Sequence, residues 1–155
     1  ELDAKTTPQG VTIARDFTAR ELRRHGLMGH ASDHHDHKAD PALHIISGVD
    51  FLTTTTLSGC CTVIMNPPFK GSDQHVRHAL RLLPDDGTLA ALLRMNWRAA
   101  KRRADLLPHV RLEVILGRLK MLPPGAVDRG HGGTTDFSWF VFGRQPVEAT
   151  RVIRA

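Results

Sequence analysis

The sequence predicts an α/β fold in which helices cover both faces of a mostly parallel sheet. Apolar, β-branched segments alternate with segments of helical periodicity, a pattern typical of parallel strands joined by crossover helices. Residues 61–65 (Cys-Thr-Val-Ile-Met) are apolar throughout, as expected of a strand buried on both faces. The length of 155 residues, with 41% hydrophobic and 24% charged residues, indicates a single globular domain over residues 1–155.

Short apolar runs mark the candidate strands, and turn residues bound them. The run over residues 137–142 (Phe-Ser-Trp-Phe-Val-Phe) is the most aromatic and therefore the clearest strand. The predicted strands are residues 44–49, 61–65, 88–93, 111–116 and 137–142.

Three segments between these strands predict helices. Thr7-Pro8 can open the first helix and Gly26 can end it. Ser72 is expected to cap the second helix, which stops before Pro84. The predicted helices are residues 7–25, 72–83 and 98–107.

The segment after residues 61–65, Asn66-Pro67-Pro68-Phe69, carries the clearest chemistry. Ligands of open α/β sheets bind outside the carboxyl ends of the strands. The two prolines remove two backbone donors and hold each preceding residue extended, so the carbonyls of Asn66 and Pro67 are rigidly placed. The Asn66 side chain adds an acceptor, and Phe69 adds a flat apolar face. These groups can bind a planar amino group and stack on its ring; the alternative is a rigid exit from the strand.

This tetrapeptide resembles the catalytic motif of S-adenosylmethionine-dependent methyltransferases that act on exocyclic or amide nitrogens, chiefly the adenine N6 enzymes. The helix that follows it, the turn over residues 82–87 and the next strand are also similar to that family. The turn departs from the family pattern at Asp86, where a glycine is usual, but Gly87 remains. The aromatic run over residues 135–142 resembles the final strand of phage- and plasmid-type members.

The resemblance implies roles for the four catalytic candidates. Asn66 and the Pro67 carbonyl would accept hydrogen bonds from the target amine and stabilise the charge that develops on its nitrogen. Pro68 belongs to the same rigid segment. Phe69 would stack on the target base, which must be flipped out of a duplex.

The resemblance also implies S-adenosylmethionine as the cofactor. Asp50, after the strand at residues 44–49, matches the acidic residue that binds the cofactor adenine, and Phe51 would flank the same ring. Glu1 matches the residue that binds the ribose hydroxyls, with Asp3 as the second choice. Carboxylates suit this task because each can accept two charge-assisted hydrogen bonds.

The family has a first strand and a glycine-rich loop that the sequence does not match. If Glu1 ends the second family strand, the first strand, its loop and the first helix should precede residue 1. We therefore expect a methyltransferase fold that lacks the first strand and the glycine-rich loop. The domain would then be incomplete at its N-terminus, and the missing segment or a partner chain would complete it.

The charge balance favours a nucleic-acid partner. Lys and Arg number 21 against 16 Asp and Glu, which gives a net charge of +5 and a pI near 9.9. A basic cluster with one aromatic residue surrounds the third predicted helix, at Arg94, Trp97, Arg98, Lys101, Arg102 and Arg103. The expected substrate-binding residues are Lys70, Asn96, Trp97 and Arg98. The alternative for this cluster is a solvated helix face.

Other site types have weaker support. The His- and Asp-rich segment over residues 30–44 could hold zinc or nickel through His30, His34 and His37, but a polar loop is the simpler interpretation and no metal is expected. Adjacent Cys60 and Cys61 indicate buried thiols in a reducing compartment. No segment predicts a membrane span or a secretory signal, so a cytoplasmic protein is expected.

The leading hypothesis is therefore methyl transfer to adenine N6, with DNA favoured over RNA as the substrate. Methylation of ribosomal or transfer RNA bases is a close alternative, because the same motif serves those enzymes. Protein glutamine methylation uses a similar motif that usually ends in tyrosine, which Phe69 and the basic charge disfavour. A hypothesis of another class is a non-catalytic methyltransferase-like module that binds nucleic acid or a partner chain.

Overall fold

An eight-stranded sheet forms the centre of the computed structural model, which describes residues 9–13, 16–26, 29–34, 41–57, 59–119, 133 and 135–155. The strands are β1 (Gln9–Ile13), β2 (Gly29–Ser32), β3 (Ile45–Ile46), β4 (Cys60–Met65), β5 (Thr88–Arg94), β6 (Val110–Arg118), β7 (Asp136–Gly143) and β8 (Arg151–Arg154). The α-helices are α1 (Asp16–Arg24) and α2 (Ser72–Leu82). Short 3₁₀ helices lie at Pro41–Leu43, Phe51–Thr53, Met95–Ala99, Lys101–Arg103 and Leu107–His109.

The strand order is β3-β2-β1-β4-β5-β7-β6-β8. Strands β1 to β5 pair in parallel, whereas β7 runs antiparallel to both β5 and β6. The chain winds outward in one direction from β1 and in the other from β4, so the topological switch point lies between these two strands. This is a Rossmann-like α/β sheet, and its ligand crevice is expected at the carboxyl ends of β1 and β4.

The core lies where α2 packs beside β4 and β5. Met65 and Leu89 on the strands are fully buried, as are Val76 and Ala79 on the helix. Those helical residues are three apart and therefore share one face of α2. The chain then turns sharply into β5 at Gly87, where any side chain would lie 2.8 Å from the Pro84 carbonyl oxygen. The packing of α2 beside β4 and β5 fixes the position of the helix start, which follows the tetrapeptide.

Four of the predicted strands are confirmed with shifted ends, and the fifth is shorter than predicted. Strands β4, β5, β6 and β7 contain the predicted segments, each extended by one to three residues. Residues 44–49 supply only the two-residue strand β3. Two features shorten it: His44 has a φ of 47° and Gly48 a φ of 76°, both outside the extended region.

The helix predictions are less accurate. Residues 9–13, predicted as helix, form β1; their run Val-Thr-Ile is β-branched, which favours a strand. Residues 98–107, also predicted as helix, contain 3₁₀ turns. The cap of α2 is Gly71, with a φ of 84°, and Ser72 is the first helical residue. Strand β8 was not predicted.

The structure also corrects the expectation that the first strand is absent. β1 occupies the central position between β2 and β4 that the sequence interpretation left empty. Only Ala14 and Arg15 separate β1 from α1, and neither is glycine. The sequence therefore offers no glycine-rich loop at this point of the sheet. In the described part of the chain, no helix is long and apolar enough to cross a membrane.

Candidate functional site

The tetrapeptide lies at the carboxyl end of β4, beside the switch point of the sheet. Met65, the last residue of β4, is fully buried, and Asn66 directly after it is exposed. Pro67 is buried, whereas Pro68 and Phe69 are exposed. The buried residues anchor the segment, and the exposed residues present polar and aromatic groups at the edge where ligands of such sheets bind.

The Phe69 ring is 43% exposed and rests on a pair of residues from neighbouring strands. Its centroid lies 5.7 Å from that of Phe137, and the guanidinium carbon of Arg94 lies 4.4 Å from the same ring. Arg94 ends β5 and stands directly opposite Phe137 on β7, so both side chains project from the same face of the sheet. The site therefore combines an exposed aromatic ring with a stacked cation.

Two linked hydrogen bonds hold the end of the tetrapeptide. The Ser72 hydroxyl, 2% exposed, donates to the Phe69 carbonyl oxygen at 3.4 Å. The Trp97 indole N–H donates to the Ser72 oxygen at 3.1 Å. Gly71 precedes this contact in the left-handed region, which favours glycine. The segment after β5 thus fixes the backbone at Phe69 through the first turn of α2.

Trp97 was expected to face a nucleic acid, and the structure corrects this. Its side chain is 3% exposed and packs against Phe140 and Phe142, with ring centroids 5.7 and 5.9 Å away. Arg103 covers the indole with its guanidinium carbon 4.9 Å from the ring and donates to the Trp97 carbonyl oxygen. Trp97 is therefore part of the core that supports the site.

The other expected substrate-binding residues differ in their surroundings. Arg98 is half-exposed and its guanidinium donates to the Glu113 carboxylate at 2.8 Å. Glu113 is only 1% exposed, so Arg98 compensates a buried charge on β6. Lys70 and Asn96 are exposed, beside the tetrapeptide and after β5 respectively. These two residues remain on the surface where a substrate can reach them.

One member of the predicted basic cluster, Arg102, belongs to a partly exposed ionic network. The Asp73 carboxylate lies 3.3 Å from Arg77 and 3.4 Å from Arg102, and Arg77 also pairs with Asp105 at 2.8 Å. Arg77 donates to the Arg102 carbonyl oxygen as well. This network joins α2 to the turns after β5. Within the predicted cluster, Trp97 and Arg103 are buried, whereas the other four members are exposed.

The charges around this network shift the pKa values of Asp73 and Arg103. Burial acts to raise the pKa of Asp73, but a backbone hydrogen bond and the charges of Arg102 and Arg103 outweigh it, so the pKa is lowered. Burial lowers the pKa of Arg103, and the neighbouring Arg102 charge adds to that effect. The network therefore favours an ionised Asp73.

Two cofactor-binding candidates follow β3. The position of Asp50 suits a contact with the cofactor nucleoside, and the position of Phe51 does not. Asp50 is exposed and caps a 3₁₀ turn, its Oδ1 accepting the Leu52 amide at 3.0 Å. A carboxylate oriented in this way at the sheet edge suits a nucleoside hydroxyl or amino group. Phe51 is 5% exposed and packs against His75 and His78 of α2, so it lies in the core and does not flank an exposed adenine site.

A further carboxylate follows β2 and was missed by the sequence interpretation. Asp33 directly follows Ser32, and its backbone bonds to Ile46 and Val49 at the edge of the sheet. It lies twenty residues after the end of β1, the approximate spacing at which an acidic residue binds ribose hydroxyls in Rossmann folds. The sequence signal was present, but it required β1 to be recognised as a strand. Glu1 and Asp3, the original candidates, lie outside the described residues.

Two other features lie away from this edge. A cavity of about 520 Å³ lies near the start of β4 and the end of α2, lined partly by Leu57, Cys60, Leu83 and Arg144. It is at the opposite edge of the sheet from the tetrapeptide. Among the described residues, no group of three or more His, Cys, Asp or Glu side chains could hold a metal ion. Part of the His-rich segment, residues 35–40, lies outside them.

Solved structures share this fold at low sequence identity. A Listeria monocytogenes protein assigned to the class I S-adenosylmethionine-dependent methyltransferases matches with a TM-score of 0.63 and 11% identity, over 97% of this chain and 59% of its own. A Lactococcus lactis protein assigned as a hemolysin matches with a TM-score of 0.64 and 12% identity, over 94% of this chain and 83% of its own. The 23S rRNA methyltransferase ErmE matches with a TM-score of 0.51 and 14% identity, over 94% and 67%.

These structural matches establish the fold of the class I methyltransferases and leave the reaction to the residues of the site. The chain spans 59% of the length of the Listeria protein. No protein-family model matches the sequence, and no curated protein matches it.

Proposed function

We propose that the chain carries the substrate side of an S-adenosylmethionine-dependent methyltransferase that modifies an exocyclic amino nitrogen, adenine N6 in DNA. The observation that carries this proposal is the exposed Asn66 directly after the fully buried Met65, at the ligand-binding edge of a class I methyltransferase fold. The two prolines that follow make this edge rich in acceptors and poor in donors.

The chemistry requires an amine held in the correct orientation. Asn66 Oδ1 and the Pro67 carbonyl oxygen would accept hydrogen bonds from the two N–H groups of the target amine, which leaves the nitrogen lone pair free to face the methyl group that is transferred. Both acceptors carry partial negative charge and stabilise the positive charge that develops on nitrogen during transfer. Phe69 stacks on the base, and the Ser72 hydroxyl and Trp97 indole hold its backbone. No protein nucleophile is required, because the amine itself attacks.

The residues at the neighbouring strand ends fit the nucleoside half of the cofactor. Bound S-adenosylmethionine supplies an electrophilic methyl group on its sulfonium. Asp33 after β2 suits the ribose hydroxyls, and Asp50 after β3 suits the adenine amino group. The segment Ala14-Arg15 after β1 has no glycine with which to approach the methionine half, so among the described residues these two carboxylates are the cofactor contacts that we propose.

A polynucleotide is the substrate class that the surface charge favours. The chain carries a net charge of +5, and Lys70 and Arg94 are exposed beside the tetrapeptide. Lysine and arginine bind phosphates and raise the rate of encounter with a polyanion. An acidic environment around Phe69 would have favoured a different substrate.

The test begins with calorimetric titration of the chain with S-adenosylmethionine, followed by transfer of a labelled methyl group to unmethylated DNA, to RNA and to a glutamine-containing peptide. We expect cofactor binding and label in DNA. If the label enters only RNA or only the peptide, the proposed substrate class is wrong, but the proposed transfer to an amino nitrogen still holds. Absence of cofactor binding would contradict the proposal and favour a non-catalytic module that binds nucleic acid or a partner chain.

A further inference from the structure

Arg94 covers the ring on which the target base is proposed to stack. Its guanidinium carbon lies 4.4 Å from the Phe69 centroid, and both side chains are exposed. A guanidinium group is planar and stacks on aromatic rings, as a nucleobase does. A base and the Arg94 guanidinium therefore compete for the same kind of contact with Phe69.

Arg94 differs from the next three arginines along the chain. Arg98 pairs with Glu113, Arg102 pairs with Asp73, and Arg103 is buried on Trp97. Within the part of the chain that the structure describes, no carboxylate forms an ion pair with Arg94. Its charge is therefore available to an anion that arrives with the substrate.

We propose that Arg94 occupies the Phe69 ring until the target base arrives and then binds the phosphate of the same nucleotide. This rests on the proposed function, and it names the residue that joins base recognition to backbone recognition. Stacking of a base on an aromatic ring is stronger than an exposed cation–π contact, so the base displaces the guanidinium. The released group can then make a charge-assisted, bidentate contact with a phosphate.

The test compares Arg94→Met with the matched charge-removing control Arg151→Met. Arg151 is exposed on β8, and β7 and β6 separate that strand from β5. The affinity of the full chain for a labelled single-stranded oligo(dA) is measured by fluorescence anisotropy across a range of NaCl concentrations. The slope of log affinity against log salt should become shallower by about 0.7 in Arg94→Met, the value for one phosphate contact on a single strand. It should stay unchanged in Arg151→Met, and Arg94→Lys should restore it.

A second probe separates phosphate binding from base binding. Arg94→Met should bind a methylphosphonate oligo(dA), whose backbone is uncharged, at least as tightly as the wild type does, because the ring is uncovered. If Arg94→Met loses the same affinity for both oligonucleotides, Arg94 contacts the base and not the phosphate, which would overturn the inference. An unchanged salt slope would overturn it as well. If the wild type binds neither oligonucleotide at low salt, the inference and the polynucleotide substrate of the proposed function both fail.

Discussion

Two arginine–aromatic stacks lie close together in sequence, and they differ in almost every physical respect. Arg94 stacks on Phe69 at 4.4 Å with both side chains exposed. Arg103 stacks on Trp97 at 4.9 Å, where they are 8% and 3% exposed. The first pair lies beside the tetrapeptide at the sheet edge, and the second lies beneath it. The same kind of stack is therefore open to solvent in one place and part of the buried core in the other.

The difference shows that the partners of each side chain determine its role. Trp97 bonds to Ser72 and contacts two buried phenylalanines, so its removal would disturb the core. Phe69 contacts one buried ring and one exposed cation, so its removal would leave the core largely intact. Variants at the exposed pair should therefore change activity or binding, and variants at the buried pair should change stability.

The largest expected effect in the exposed region is at Asn66. Asn66→Ala removes the acceptor that is proposed to stabilise the developing charge, and we expect methyl transfer to fall by about 10²–10³-fold, the range found for loss of one oriented polar group. Because Asn66 is exposed, the midpoint of urea unfolding should not change. Wild-type transfer by this variant would rule out the proposed role of the side chain.

The largest expected effect in the buried region is at Trp97. Trp97→Ala should lower the free energy of unfolding by about 3–5 kcal/mol, measured by urea denaturation, because it leaves a cavity and removes the hydrogen bond that the Ser72 oxygen accepts. Trp97→Phe keeps most of the ring and loses the hydrogen bond, so a smaller loss of about 1 kcal/mol is expected. An unaltered unfolding midpoint in Trp97→Ala would contradict its structural role.

Phe69 should show the opposite behaviour. Phe69→Ala should weaken oligonucleotide binding by about 1–3 kcal/mol, the value of one base–aromatic stack. Its unfolding midpoint should move little, since the ring is 43% exposed. Phe69→Trp serves as the control, because it retains a stacking surface. If alanine destabilises the fold and leaves binding intact, the distinction between the two regions is lost.

The smallest expected effect concerns pH. Folding lowers the pKa of Asp73 below its ordinary value of 3.8, so its ionised form stabilises the folded state. This contribution is fully present above the unfolded pKa and is lost as the pH falls through the lower folded pKa. Thermal melting below about pH 4 should therefore depend less on pH in Asp73→Asn than in the wild type. Identical pH profiles would show that the network does not act through this carboxylate.

The sequence predicted most of the sheet because buried strands carry a local signal. Residues 61–65 and 137–142 are apolar or aromatic along their length, and both form strands. Residues 9–13 were assigned to a helix because Thr7-Pro8 resembles a helix start, yet pairing with β2 and β4 makes them a strand. The β-branched run Val-Thr-Ile was a local signal for this strand, but its pairing partners cannot be read from local composition.

The candidate site was predictable only in part. The position of Asn66–Phe69 after β4 followed from the strand pattern and the two prolines. The burial of Trp97 and Phe51 did not, because an aromatic residue near charged residues has the same local pattern whether it faces solvent or the core. Asp33 was missed because its place in the sheet depends on β1.

The central claim is that this edge of the sheet directs a methyl group to an amino nitrogen. The most direct measurement is the position of that group, found by incubating unmethylated DNA with the chain and S-adenosylmethionine and then analysing the digested nucleosides by mass spectrometry. We predict N6-methyldeoxyadenosine, formed about 10²–10³-fold more slowly in the Asn66→Ala reaction. A methyl group on a ring carbon or a sugar oxygen, or equal product from Asn66→Ala, would contradict the account.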